Sequence, residues 1–376
     1  MIYYQLMSKY RFFLLIVLHA LLVGCQQRQN YVHTVSGNRY AKGFEIRSEN
    51  HYTVVTVFSP WQKGEVLATY YLVREDSVTT PSDGIQLHIP LQRLTATSCT
   101  HVGFLSALNR QDALIGICNP PIVYDPIVQE RVANRQTADV GDAMTPNVER
   151  ILQTGAEAVM VSTYAQGDAV TERLVSLGVP VIYNNEWTEN DPLARAEWIR
   201  FVGTFFDMLP QADTIFNNVE KQYLTLKNTA AHNTDKRSIM SGNNFRGTWY
   251  MPSGNTYMGR LFKDAQAEYV YANDSNDFSI PMTIENVVIQ FSTADVWVGA
   301  PTNTLNELST IDERHTWFKA YQTGEVYNFL KRTTPDGAND FWESGVVHPE
   351  RILNDLINIL YPHLASDTLF YTKKLD

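Results

Sequence analysis

Between residues 40 and 92 the apolar positions fall in short Tyr- and Val-rich runs. Tyr52-Thr53-Val54-Val55-Thr56-Val57-Phe58 and Ala68-Thr69-Tyr70-Tyr71-Leu72-Val73 flank a turn over residues 60–64. β-Branched and aromatic residues on both sides of such a turn predict paired strands. The rhythm changes at Pro90. From there short apolar strands (93–97, 113–118, 158–161, 179–183) alternate with amphipathic helices (101–108, from about Thr145-Pro146, and 169–177). Alternation of strand, helix and strand predicts a largely parallel sheet, the core of an α/β lobe.

From Pro192 to about His232 the pattern is helical, interrupted at Pro210. Ala212, Ile215, Phe216, Val219, Tyr223 and Leu226 keep the spacing of one helix face, which predicts a single long helix leaving the first lobe. Ser238-Ile239-Met240 opens a second set of strands and helices that runs to the end. The expected fold is thus α/β, two Rossmann-like lobes joined by a long helix, with an N-terminal β extension. The expected boundaries are 25–92 for the extension, 93–209 and 234–376 for the lobes, and 210–233 for the linker helix. An internal echo supports the two lobes. Thr145-Pro146-Asn147-Val148-Glu149-Arg150-Ile151-Leu152 leads into the strand at 158–161, and Thr283-Ile284-Glu285-Asn286-Val287-Val288 leads into Ala294-Asp295-Val296-Trp297-Val298. In each, a Thr stands where a helix cap is expected and a Glu falls in the first turn.

Ahead of these elements, Lys9 and Arg11 precede an apolar run over residues 12–23, broken only by His19 and ending at Gly24-Cys25. The run is shorter than the roughly 20 residues a membrane-crossing helix needs, and a positive head before a short apolar middle is the pattern of an export signal. Leu22-Val23-Gly24-Cys25 resembles a bacterial lipobox, so that residues 1–24 are the expected signal and Cys25 the expected lipid anchor in a periplasmic protein. An ordinary secretory signal with an incidental cysteine is the alternative. Cys99 and Cys118 then either pair or remain free and buried.

The 376 residues are 44% apolar, enough for about two domain cores. A net charge of -10 and a pI near 5.4, without a basic run, argue against nucleic acid as a partner. The nine histidines are scattered rather than paired, which disfavours capture of a bare metal ion. Nucleophile elbow, phosphate loop, dinucleotide fingerprint and His-Glu-x-x-His pair are all missing. Asp139 with Asp142, or Asp274 with Asp277, are carboxylate pairs of a kind that surface loops supply freely, so neither catalysis nor a resident cofactor is expected.

Over roughly residues 90–364 the chain resembles the cobalamin and iron-siderophore binding proteins of ABC importers, the FecB/BtuF-like periplasmic binding family. The stretches that carry the likeness are Arg93-Leu94-Thr95-Ala96-Thr97-Ser98-Cys99-Thr100-His101, Leu177-Gly178-Val179-Pro180-Val181, Asp295-Val296-Trp297-Val298, Gly247-Thr248-Trp249-Tyr250 and Gly337-Ala338-Asn339-Asp340-Phe341-Trp342-Glu343-Ser344-Gly345. The resemblance implies a helical-backbone (class III) receptor whose partners are an ABC permease with its ATPase subunits. It implies a ligand such as an iron chelate or cobalamin, and one glutamate per lobe, Glu149 and Glu285, docking on the permease. A carboxylate in a first helical turn also serves the helix dipole, the plainer reading of each.

Ligands in open α/β sheets bind beyond the C-terminal strand ends. That places Thr100, His101, Tyr124 and Tyr164 in the first lobe as candidates, with Glu186-Trp187 beside them. In the second lobe Arg246, Trp249, Tyr250, Arg260, Asn339 and Trp342 offer guanidinium groups and aromatic faces. The charge of Arg246 and Arg260 favours an anionic ferric siderophore, whereas the aromatic rings suit cobalamin or haem equally well.

Overall fold

The computed structural model describes residues 35–364 and 368–376. Residues 1–24 and Cys25, the expected signal and anchor, lie outside the described residues. The described residues open with a five-stranded sheet in sequential order, β1 (Val35–Ser36), β2 (Phe44–Ser48), β3 (Tyr52–Phe58), β4 (Val66–Val73) and β5 (Ile85–His88). All neighbours are antiparallel except β4 and β5. The paired strands expected around the turn at 60–64 are β3 and β4.

A fully parallel sheet follows, with order β12-β11-β6-β7-β8: β6 (Leu94–Ala96), β7 (Leu114–Ile117), β8 (Ala138–Asp139), β11 (Ala158–Val161) and β12 (Val181–Tyr183). Its helices are α1 (Cys99–Ala107), α2 (Pro126–Ala133), α3 (Val148–Thr154) and α4 (Ala169–Ser176), and a small hairpin of β9 (Gly141–Asp142) and β10 (Thr145–Pro146) precedes α3. The expected helical stretch is two helices, α5 (Pro192–Phe205) and α6 (Leu209–Ala231). The chain turns between them at Asp207, in the left-handed region at φ 58°, and Pro210 sits in the first turn of α6, where its missing N–H costs nothing. Ala212, Phe216, Val219 and Tyr223 form the buried face of α6, with Ile215 and Leu226 packed at its margins.

The second lobe has β13 (Ile239–Ser241), β17 (Val296–Val298), β18 (Val326–Asn328) and β19 (Lys373–Lys374) in that spatial order, the last antiparallel. A separate antiparallel sheet holds β14 (Asn244–Phe245), β15 (Thr248–Met251) and β16 (Ile280–Met282). The helices are α7 (Tyr257–Asp264), α8 (Ile284–Phe291), α9 (Leu305–Ile311), α10 (Lys319–Gln322), α11 (Asp340–Glu343) and α12 (Pro349–Leu360). Helix α6 packs against both α5 and α12.

The extension shares the main hydrophobic core with both lobes. Phe44 meets Trp198 edge-on at 4.9 Å and Tyr70 meets Phe205 at 5.4 Å. Burial of Trp198, Phe201 and Phe205 on α5 is worth about 1.5–3 kcal/mol each. Two buried carboxylates of the first lobe grip the chain just before β2. Glu197 accepts the backbone N–H groups of Arg39, Tyr40 and Ala41 at 2.8 Å, and Glu189 accepts those of Lys42 at 2.7 Å and Gly43 at 2.8 Å. Tyr70 also bridges strand β12, donating to the Val181 carbonyl and accepting from Tyr183 N–H, each at 3.0 Å.

Candidate ligand cleft between the lobes

In the first lobe the C-terminal ends of β6, β11 and β12 release three segments toward the second lobe. Ser98 ends the first and caps α1, accepting from Thr100 N–H at 3.2 Å. Ser162, Thr163 and Tyr164 form the second, tied to the third because Asn185 Oδ1 accepts from Thr163 N–H at 2.9 Å. The third, residues 184–188, carries Glu186 and Trp187, and the Trp187 ring lies 5.4 Å from that of Tyr164. From the second lobe come α11 and the turn after it, where Phe341 stacks on Phe329 at 4.2 Å and leaves Trp342 63% exposed.

The lobes meet directly at this place. Glu343 is buried, and its two oxygens accept the backbone N–H groups of Tyr124 at 2.6 Å and Asp125 at 2.9 Å. Gly103 lets α1 approach α11, since a Cβ there would stand 2.2 Å from the Glu343 carbonyl oxygen. Cys99 Sγ is 3.9 Å from the Trp342 carbonyl oxygen. Arg332 bonds Asp340 at 2.6 Å and lies over the Tyr124 ring. Nearer the linker, Arg195 donates to the carbonyls of Glu189 and Trp187, both at 2.7 Å, and covers the Tyr257 ring at 4.4 Å. Arg260 donates to Asn255 at 2.6 Å and pairs with Asp191 at 3.4 Å, while Asn190 donates to Asp277 at 2.8 Å.

The carboxyl groups of Glu186 and Glu343 lie buried at this junction. Burial pushes Glu186 up to about 7, offset in part by the Thr100 hydroxyl and the Arg195 guanidinium. Burial, with the Asp125 and Asp340 carboxylates adding to it, pushes Glu343 up to about 8. Burial also drives the Cys99 thiol up to about 12, so that it stays protonated. Several buried polar atoms here have no protein partner: Asn185 Nδ2, Glu186 Oε2, Trp187 Nε1 and Arg260 Nε. Such groups cost about 1–3 kcal/mol each when left unmade.

The structure brings together Thr100, Tyr124, Tyr164, Glu186, Trp187, Arg260 and Trp342 at the junction. It removes two candidates. His101 is fully buried beneath α1 with Nε2 3.1 Å from Ser162 Oγ, and burial lowers it to about 3, so it is a neutral packing residue. Trp249 faces the inner side of its sheet, fully buried on Trp297 and Phe318 with its N–H on the Ser241 carbonyl at 2.8 Å. Strand alternation puts Tyr250, 51% exposed, on the opposite face, and Arg246 stands at the β14–β15 turn with its guanidinium 5.1 Å from the Phe245 ring centre. Asn339 caps α11, and the thiols of Cys99 and Cys118 are free. Sequence reasoning missed Glu343, Arg195 and Tyr257. Glu343 stood inside a family-like stretch, but nothing local distinguished it from a surface carboxylate. A cavity of about 180 Å³ under Tyr164, lined also by Met144, Asp168 and Thr171, is too small for a bulky chelate.

Glu149 and Glu285 are exposed residues of first helical turns, in α3 and α8. The first-lobe cap is Asn147 rather than the expected Thr145, which belongs to β10; the second-lobe cap is Thr283. Aligned on these caps, Asn147-Val148-Glu149 and Thr283-Ile284-Glu285 match position for position, and the caps stand equally far ahead of Ala158 and Ala294. Glu285 is paired with Arg314 at 2.6 Å, and its carboxyl lies below its usual range, chiefly through its own backbone N–H and Thr283.

Residues 100–333 match the pattern that defines the periplasmic binding protein family. An uncharacterized lipoprotein of Methanocaldococcus jannaschii is 26% identical over 286 residues, 73% of this chain and 66% of that protein, so the chain spans just under two thirds of its curated relative. Among solved structures, a periplasmic heme binding protein of Pseudomonas aeruginosa superposes with a TM-score of 0.58 at 13% identity, covering 76% of this chain and 98% of that one. An ABC-type Fe3+-hydroxamate transport protein of Saccharomonospora viridis gives 0.54 at 16% identity, with 72% and 93% covered. The vitamin B12 binding protein of Vibrio cholerae gives 0.52 at 11%, with 72% and 97% covered. These likenesses concern the fold.

Proposed function

The chain belongs to the periplasmic binding protein family and has the two-lobed, helix-linked fold of its class III members, and from that premise we propose that it is the substrate-binding protein of an ABC importer. In this reading it is exported, held at a membrane through Cys25, and takes a bulky metal chelate between its lobes. Glu149 and Glu285 then meet the permease as exposed charges at equivalent places in the two lobes, the arrangement that guides encounter between complementary partners.

The observation that supports this best is the coincidence, at the lobe junction, of exposed aromatic faces on Tyr164 and Trp342 with unpartnered buried polar atoms on Glu186, Trp187 and Arg260. Flat rings bind the apolar face of a chelate, and the polar atoms fix its orientation. Ferric siderophores and cobalamin both meet that description, and the structural neighbours named for hydroxamate, heme and vitamin B12 span the same range. The full chain in detergent, titrated with cyanocobalamin, haem and ferric hydroxamate, catecholate and citrate complexes, is expected to show saturable quenching of tryptophan fluorescence. Trp342→Ala should weaken it about tenfold, the loss of one aromatic anchor. A folded chain that binds none of these ligands would overturn the reading.

A further inference from the structure

The charges at the junction narrow the chelate further. Arg195 is spent on two carbonyls and the Tyr257 ring, Arg260 on Asp191 and Asn255, and Arg332 on Asp340. Among the described residues that carry the interlobe contacts, each guanidinium thus already has a protein partner. The acids are less well matched. Glu343 takes two backbone N–H groups, and Glu186, 1% exposed, keeps Oε2 without a partner. The groups that act on Glu186 are Thr100 and Cys99 from α1, Arg195 from α5 and Tyr164 beyond β11; Glu343 acts on Cys99 from the other lobe. Of these, Arg195 alone is a cation.

Building on the receptor reading above, we propose that the cleft takes a chelate that is neutral or cationic where it meets the first lobe, and that Glu186 sets this preference. An anionic chelate entering here meets guanidinium groups that are already paired, Arg260 keeping one free N–H at Nε, and comes near the Glu186 carboxyl, so it loses hydration for little gain. A ligand amide or ammonium instead supplies the donor that Glu186 Oε2 lacks, while Trp187 Nε1 and Asn185 Nδ2 donate to its carbonyl oxygens. The reading departs from the anionic preference drawn from Arg246 and Arg260, since Arg260 is paired with Asp191.

The test varies charge on a fixed scaffold. An amine-bearing ferric trihydroxamate is compared with its N-acetyl (neutral) and N-succinyl (anionic) forms, and cyanocobalamin with its monocarboxylic acid, by fluorescence titration of the full chain. On the scaffold that binds, the neutral or cationic form is expected to bind at least about tenfold tighter than the anionic one. With the trihydroxamates, the cationic preference should grow between about pH 6 and pH 8 as Glu186 ionises. Glu186→Gln should abolish that growth and Glu186→Asp should retain it, with thermal midpoints showing that both variants fold. Tightest binding by an anionic form, or a charge preference unchanged in Glu186→Gln, overturns the proposal. If no scaffold binds to a folded chain, the receptor reading itself falls.

Discussion

At the scale of single residues, Glu343 and Gly103 hold the lobe junction. Gly103→Ala places a methyl against the Glu343 carbonyl, where backbone rather than a flexible side chain must yield. The expected loss is about 1–3 kcal/mol by overpacking, measured as a fall in the urea midpoint. The raised carboxyls give a pH dependence whose sign follows from proton counting. Between the ordinary value of 4.5 and their folded values, about 7 for Glu186 and about 8 for Glu343, the folded chain holds protons that the unfolded chain releases. The contribution of these two groups is therefore full below about pH 4.5 and lost as pH rises toward 8. Urea midpoints from pH 5 to 8 should fall less steeply in the double Gln variant than in the wild type. Glu186 was a sequence candidate, but the part of Glu343 was not legible, because its partners lie 219 and 218 positions away and no local pattern records such a pair.

At the scale of elements, the extension acts as a clamp on the first lobe. Glu197→Ala strips three backbone N–H groups of their acceptor at once, and each buried orphan costs about 1–3 kcal/mol. Proteolytic cleavage before β2 should become faster in this variant, and the thermal midpoint should drop by several degrees. Tyr70→Phe, which removes two hydrogen bonds at the margin of β12 but keeps the ring on Phe205, should cost about 1–2 kcal/mol in the same assay. These elements were legible beforehand. The Tyr- and Val-rich runs became β3 and β4, and the apolar run at 158–161 became β11, because a strand's burial pattern repeats along a few adjacent residues. The cap two residues later than expected has an equally local cause: the preceding Thr145-Pro146 extends as β10, and Asn147 supplies the oxygen that Arg150 N–H needs.

At the scale of the whole molecule, the proposed role separates capture from delivery. Glu149→Arg combined with Glu285→Arg should leave chelate affinity within about twofold while abolishing uptake in cells that depend on this receptor, since both side chains are exposed and stand outside the interlobe contacts described above. Loss of affinity together with uptake would instead mean that these helix ends support the fold. The Glu285 substitution also removes one of the two carboxylate partners of Arg314, leaving Asp312, so Arg314→Ala alone is the matching control.

What the sequence determined by itself was the succession of elements, the parallel sheets, the linking helix and the equivalence of the two glutamate-bearing helix starts. Each is written in periods of two or 3.6 residues, in caps and in turns, all of which act over a few neighbours. The tertiary structure decided which aromatic and charged residues are left for a ligand. It buried Trp249 and His101, turned Tyr250 outward, committed Arg195 and Arg260 to protein partners, and left Glu186 with an unpartnered oxygen. Composition makes a tryptophan or an arginine available. Whether it meets solvent, core or counter-ion depends on chain segments far apart in sequence, which only the packing of the two lobes brings together.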